Sequence, residues 1–401
     1  MFESHDKESL AFMAKILSSS RQSEETYLPP TLHYIPPKTH RRESIKEFQM
    51  SLFPIMDDLL AKTNLSAQDI DIIIVNCSAF CPSPSLSSII INKYSMRSDI
   101  KSYNLSGMGC SASALGVDLA QNLLKLYRNS YAISYNLSGI GCSASALSVD
   151  LAQNLRKLYR NSYAVILSTE ILSSGWYSGN ERPKLLLNCL FKMGSAAILL
   201  TSKNEANKCS KYELVRTLRT QRAFEDKAYL SAIREKDEKG KLGVTLKRDL
   251  LQVAGETLRS NITLLGSSIL PFSEKFRYFV SIIRKRLMDK SAEIYVPDFK
   301  IVIQHFCLPT SGKPVIKEIA KGLKLGEIDM EAALMTLHRF GNQSSSSLWY
   351  ELAYMEGKDR VKKGDKVWLL GMGSGPNPIV GESNKSPWAD SIHQYPIVSI
   401  H

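Results

Sequence analysis

Two stretches of the chain set a cysteine where it could act as a nucleophile. Residues 102–133, SYNLSGMGCSASALGVDLAQNLLKLYRNSYAI, and residues 134–165, SYNLSGIGCSASALSVDLAQNLRKLYRNSYAV, match at 28 of 32 positions. Each carries a cysteine, Cys110 or Cys142, directly after a glycine and ahead of a helical pattern. A thiol at a helix start meets unsatisfied backbone N–H groups and the positive end of the helix dipole, which favour the thiolate and its attack on a thioester. The small Gly, Ser and Ala residues around it permit close approach of a ligand. A buried structural cysteine fits the same residues, and at this level both readings stay open.

A cysteine nucleophile needs partners that handle protons and developing negative charge. The histidines are His5, His33, His40, His305, His338, His393 and His401. His305 ends the predicted strand KIVIQHFC, and His338 lies in TLHRFGNQSSSSLWYELAY, four residues before Asn342, which precedes a predicted helix whose hydroxyl-rich start suits an N-cap. An asparagine amide can donate hydrogen bonds to an oxyanion or enolate. Either histidine alone fits a hydrogen-bonded core position better than a catalytic one. The glycine-rich GMGSGP at 371–376 could cradle a phosphate or merely turn the chain. The seven cysteines form no even framework and no paired CxxC spacing, so reduced thiols are expected and neither a metal nor a cofactor is called for.

The elements that must position these groups alternate. SIKEFQMSLFPIMDDLLAKTN from Ser44 has helical spacing, and DIDIIIVNCS after it reads as a buried strand. Leu147, Leu151, Leu155 and Leu158 share one helical face, and SYAVILST beyond them is again strand-like. AAILLTS from Ala196 and KIVIQHFC from Lys300 predict further strands, GKPVIKEIAKGL a helix, and DKVWLLGMGSG a strand running into a turn. Such alternation implies an α/β protein whose mostly parallel sheet is covered on both faces. Charge-dense SKNEANKCSKYE and REKDEKGKLG mark surface connections, which places a boundary near residue 210.

With 401 residues, 44% of them hydrophobic, the chain can bury one large core or two ordinary ones. A formal charge of +12 suits an anionic membrane surface or a phosphate-bearing substrate. The basic residues are scattered without an aromatic-interleaved stripe, which argues against nucleic acid. No run of 18 uncharged apolar residues suggests a bilayer span. LLGSSILPFSEKFRYFVSIIRKRLM, Leu264 to Met288, could lie against a membrane, line a lipid pocket, or form a buried amphipathic helix.

Four segments in this order, NLSGMGCSAS, NCLFKMGSAAILL, GETLRSNITLLG and MTLHRFGNQSSSSLWYELAY, resemble the plant 3-ketoacyl-CoA synthases over nearly the whole chain, from EETYLPPTLHYIPP to SPWADSIHQYP. The resemblance implies a thiolase-like, layered αβαβα fold of two similar halves, an N-terminal half 1–210 with the tandem repeat and a C-terminal half 211–401 with His305, His338 and Asn342. It implies a condensing acyltransferase of very-long-chain fatty acid elongation: cysteine takes the acyl group from acyl-CoA, malonyl-CoA loses CO2, and the carbanion attacks the acyl thioester. By the same resemblance the protein is expected to be a homodimer, to meet other elongase subunits, and to sit at the cytosolic face of the endoplasmic reticulum membrane. The family's N-terminal membrane anchors have no counterpart before EETYLPP, so attachment is expected to be peripheral, through Leu264 to Met288.

Carried over residue by residue, the nucleophile falls on Cys110 or Cys142, the asparagine on Asn342, and two further family histidines on His305 and His338. The principal catalytic histidine has no counterpart: the family's HFCIHAGG is HFCLPTSG here, with Pro309 in place of the imidazole. RTQRAFEDKA likewise puts Gln221 where the family has another histidine. Condensation is therefore expected to be impaired, and the alternative is a non-catalytic protein that binds and regulates active elongase subunits. A thiolase-type half has one elbow position, so one repeat copy is surplus. Copy two joins continuously to the strand SYAVILST and carries Arg156, suited to an exposed helix face, where copy one has Leu124. On those grounds Cys142 is expected to accept the acyl group, with Cys110 on a looped-out helix.

Overall fold

The computed structural model describes residues 5–106, 116–117, 119–120, 134–136, 162–203, 210–215, 217–218, 220, 222, 224–247, 249–288, 291, 293–372 and 380–381. Cys110, Cys142, Gln221, the Leu124 and Arg156 pair and most of the GMGSGP turn lie outside them, as do residues 204–209 beside the expected boundary.

A sheet of order β3-β2-β1-β4-β5 organises the first part of the chain. Its strands are β1 (Ile72–Asn76), β2 (Lys101–Leu105), β3 (Ser134–Asn136), β4 (Tyr163–Thr169) and β5 (Ser195–Thr201). β1 sits at the centre and pairs in parallel with β2 and β4. β5 closes the far side antiparallel to β4. Every residue of β1 is buried, which is why IIIVN reads as an unbroken apolar run instead of an alternating one.

Because side chains alternate across a strand, β1 feeds two cores. Ile73 and Val75 meet Phe48, Leu52 and Met56 of α1 (Arg41–Thr63) and Leu86 and Ile90 of α2 (Leu86–Lys93). Ile72 and Ile74 meet Ala332 and Met335 of α3 (Glu327–Phe340) and Leu348 and Leu352 of α4 (Ser347–Gly357). The same inner core reaches Cys307, Val367 and Leu369. These belong to a parallel pair of short strands, His305–Cys307 and Val367–Leu369. The opposite face of that pair, through Phe306, Leu308, Trp368 and Leu370, packs on Leu258 and Leu265 of the helix Leu250–Ile269 and on Ile316, Ile319 and Leu323 of the helix Lys313–Leu323. Helix, sheet, helix, sheet and helix thus stack in five layers, the expected αβαβα order.

KIVIQHFC is shorter as a strand than its β-branched composition predicts. Phe299–Ile301 form a 3-10 turn, held by the Asp298 carboxylate accepting from Lys300 N at 2.9 Å. Pairing begins only where Gln304 N and His305 N reach the Lys366 carbonyl, so His305 opens the strand instead of ending it.

The two repeat copies are placed differently. β2 is the start of the first copy and sits inside the sheet beside β1, whereas β3, the matching start of the second, is added outside it in register Ser102↔Ser134 to Asn104↔Asn136. Downstream in copy one, Val117 and Ala120 are fully buried in the inner core. The expectation that the first copy's helix is looped out is therefore corrected: its described residues belong to the middle layer. Gly116 shows why. A Cβ there would lie 2.8 Å from Ile166 Cγ2 and 2.9 Å from Asn76 Nδ2, closer than side chains approach. The corresponding residue of copy two is Ser148, which carries such a Cβ.

Helix propensity alone makes Gly116→Ser mildly stabilising, by a few tenths of a kcal/mol. The close approach reverses the sign: urea denaturation is expected to show a loss of about 1–3 kcal/mol. Unchanged or increased stability would remove the packing argument.

Candidate active site

Of the site residues with defined positions, Asn342 lies in the loop that joins α3 to α4, which is bonded to the ends of β1 and β4. Gly341 ends α3 at φ 73, a left-handed value open to glycine, and a Cβ there would run into the Lys192 side chain. The backbone can then turn so that Asn342 forms a bridge with Phe191, with Lys192 N donating to the Asn342 carbonyl at 2.9 Å. Asn342 is 3% exposed, and its Oδ1 accepts from Ser344 N at 2.8 Å. With Oδ1 engaged, Nδ2 is the atom of the amide that can donate to a ligand oxygen. Ser346 Oγ donates to the Ser168 carbonyl at the end of β4 at 2.9 Å, and Asn76 Nδ2, at the end of β1, to Ser168 Oγ at 2.9 Å. NQSSSS is thus bonded to the sheet, with Ser344 to Ser346 in a 3-10 turn instead of capping the helix as free hydroxyls.

Pro309 is buried just past the His305–Cys307 strand. Before it, Leu308 N donates to Glu351 Oε2 at 2.7 Å. Glu351 lies within the apolar stripe Leu348, Leu352 and Met355 of α4 and is fully buried, and burial pushes its carboxyl well above the ordinary range. A second buried carboxyl, Glu170, follows β4 and accepts from Ala79 N at 2.7 Å. Burial raises it too, against the opposing hydrogen bond from Ala79 N. Neither carboxyl was singled out in the sequence; a glutamate inside the apolar stripe of WYELAY was the signal available for Glu351.

The two histidines are held elsewhere. His305 Nε2 bonds Asp365 Oδ2 at 2.9 Å, and that bond is the main reason Asp365 stays below the usual carboxylate range. Up to about 13 Å of extended chain separates it from Pro309. His338 Nδ1 bonds the Arg21 carbonyl at 2.7 Å, and its own carbonyl accepts from Ser23 N at 2.8 Å. Both rings tie segments together, and neither contact involves Asn342.

Three buried cysteines, Cys77, Cys189 and Cys307, are poorly suited to nucleophilic work. Burial raises the Cys77 and Cys307 thiols well above the ordinary value and moves Cys189 up to about 11. Lys192, beside Asn342, donates from Nζ to the Cys189 carbonyl at 2.7 Å, and burial lowers its ammonium to about 8.

Glu351→Ala orphans the Leu308 N–H and is expected to cost about 1–3 kcal/mol, most of which Glu351→Gln restores. At acid pH the carboxyl is protonated in both folded and unfolded chains, and wild type keeps its full stability relative to Glu351→Gln. As pH rises the unfolded chain ionises while the folded one holds its proton, so wild type falls behind the glutamine variant. Parallel denaturation curves across pH 5 to 8, with a constant difference between the two, would contradict the assignment.

A family model described as FAE1/Type III polyketide synthase-like protein matches residues 1–134 and again 133–287. The break falls at the junction of the two repeat copies. A second, described as 3-oxoacyl-[acyl-carrier-protein (ACP)] synthase III C terminal, matches residues 301–377. 3-Ketoacyl-CoA synthase 4 of Arabidopsis thaliana is 42% identical over 401 residues, covering 98% of this chain and 72% of that protein. 3-Ketoacyl-CoA synthase 5 of the same plant is 44% identical over 398 residues, covering 97% and 74%. In three dimensions the chain is similar to 1,3,6,8-tetrahydroxynaphthalene synthase from Streptomyces coelicolor A3(2), a bacterial type III polyketide synthase, with a TM-score of 0.66 at 15% identity over 94% of this chain and 92% of that one. A fungal type III polyketide synthase, ORAS, gives 0.67 at 14% identity over the same shares. The structural likeness carries the fold, and the extended sequence identity carries the family: this chain belongs to the 3-ketoacyl-CoA synthases, condensing acyltransferases within the FAE1/type III polyketide synthase-like proteins.

Proposed function

We propose that the chain joins an acyl-CoA to malonyl-CoA to give 3-ketoacyl-CoA, CO2 and CoA, as in very-long-chain fatty acid elongation, with the decarboxylating step weakened by Pro309. A cysteine thiolate attacks the acyl-CoA carbonyl and CoA thiolate leaves. Malonyl-CoA then releases CO2, and the freed electron pair forms a thioester enolate that attacks the acyl-cysteine and expels the cysteine thiolate. Asn342 Nδ2 donates to the enolate oxygen. The buried, oriented Asn342 amide is the observation that carries this reading. Pro309 can neither donate nor accept a proton through its side chain, so one of the usual partners of that oxygen is missing. His305 and His338 act as positioning residues.

For the acyl-accepting thiol the proposal favours Cys110 over Cys142. The buried Val117 and Ala120, and the absence of room for a Cβ at Gly116, support copy one as the copy that follows the sheet's inner strand. Residence at the endoplasmic reticulum, a homodimeric state and contact with other elongase subunits belong to the same proposal and rest on the family alone. Pro309 also favours a second reading, a non-catalytic regulator of active synthases.

Pro309→His separates the two. Restoring the imidazole is expected to raise 3-ketoacyl-CoA formation from long-chain acyl-CoA and malonyl-CoA by about 10²-fold, and Asn342→Ala to remove that gain. No gain, together with retained binding to an active synthase, would overturn the enzymatic reading. A reactive acyl-CoA analogue followed by peptide mapping should label Cys110. Label on Cys142 alone would reverse the choice of copy.

A further inference from the structure

The helix Phe272–Leu287 is inside out. Its one buried residue is a carboxylate, Glu274, 2% exposed, which accepts from Tyr295 OH at 2.8 Å and Asp298 N at 2.9 Å. Phe272, Phe276, Phe279, Val280, Ile283 and Leu287 are all exposed, Phe272 at 79% and Leu287 at 77%. Their spacings of 4, 3, 1, 3 and 4 residues gather them into an arc of about 100° on the solvent side of the helix. Phe272 and Phe276 stack with centroids 6.2 Å apart. Helical geometry sets Arg277 and Arg284 on one flank of this arc and Lys275 and Arg286 on the other. From Phe272 to Met288 the segment holds five cations, Lys275, Arg277, Arg284, Lys285 and Arg286, against the single carboxylate of Glu274.

Packing gives the direction of the face. The hydrogen bonds to Glu274 anchor the polar side of the helix to the 295–298 segment, so the aromatic stripe cannot rotate inward without stripping a buried carboxylate of its partners. A contact between two copies through this face would set cationic flanks against cationic flanks, which an isologous interface disfavours. An anionic surface that also accepts apolar side chains meets both features: the stripe enters the acyl boundary while the flanking Arg and Lys reach lipid phosphates. Among the described residues no helix is long and apolar enough to cross a membrane.

We infer that the helix Phe272–Leu287 is a docking surface for an anionic lipid bilayer, lying in the interface plane with Phe272, Phe276 and Phe279 inserted. The inference rests on the helix alone and stands whether or not the chain condenses acyl groups.

Sedimentation of the purified full chain with vesicles tests it. Binding is expected with phosphatidylcholine vesicles containing phosphatidylserine and to be at least roughly tenfold weaker with phosphatidylcholine alone. Phe272→Ser/Phe276→Ser/Phe279→Ser, on exposed positions that leave the core intact, should lower partitioning to the mixed vesicles at least roughly tenfold. Arg284→Glu/Lys285→Glu/Arg286→Glu should erase the preference for phosphatidylserine. As a second readout, a single Phe276→Trp should shift its fluorescence to the blue when mixed vesicles are added. Failure to bind either vesicle would overturn the inference. So would unchanged binding in both multiple variants, or a fall in oligomer mass in the serine variant without loss of lipid binding, which would assign the face to a second copy.

Discussion

The constraint on which the middle layer depends is the approach of Gly116 to the central sheet. The middle helical layer lies between two sheets, and at this point its backbone comes so near Ile166 and Asn76 that a single methyl group has no space. Interiors packed at crystal-like density do not yield to such a group without displacing a strand. Asn76 and the Ser168 beside it mark the ends of β1 and β4, and both belong to the hydrogen-bonded set that holds the Asn342 loop. A local requirement for glycine therefore bears on the position of the site itself.

Around that contact, buried carboxyls do the work of joining irregular backbone to regular elements. Glu47 accepts from Leu172 N at 2.7 Å and Ser173 N at 2.9 Å, Glu170 from Ala79 N, and Glu351 from Leu308 N. In each case a backbone N–H in a loop or at a helix start, without a strand or helix partner, finds an acceptor inside the core, where leaving it unpaired would cost more than the bond itself provides. Burial raises all three carboxyls, so in this role they serve as acceptors more than as charges. The Glu351 bond fixes the backbone directly before Pro309.

The histidines illustrate how motif and location part company. His305 and His338 fall in segments shared with the family, yet one begins a strand and binds Asp365 while the other leaves its helix toward Arg21 and Ser23. One ring nitrogen of each fastens a neighbouring segment, Nε2 of His305 the turn that holds Asp365 and Nδ1 of His338 the N-terminal segment at Arg21. Asn342, in the same motif as His338, is buried and bonded to the neighbouring loop. Four residues along a helix that ends in a left-handed glycine suffice to send the two side chains into different surroundings.

By itself the sequence determined the family, the α/β alternation, the buried strand IIIVN and the helix Lys313–Leu323. These are local or cumulative properties: apolar periodicity reports burial of a face, and a long ordered set of motifs reports descent. Only the tertiary structure decided the shortening of KIVIQHFC, because a side-chain cap from Asp298 outcompetes strand pairing until Lys366 is reached. It alone turned the aromatic stripe of Phe272–Leu287 outward, since amphipathic spacing gives the width of an apolar face and not its direction. The close packing at Gly116 was likewise beyond local reading: the difference between Gly116 and Ser148 is one methylene-bearing side chain, and its meaning depends on how near another strand's Ile166 lies.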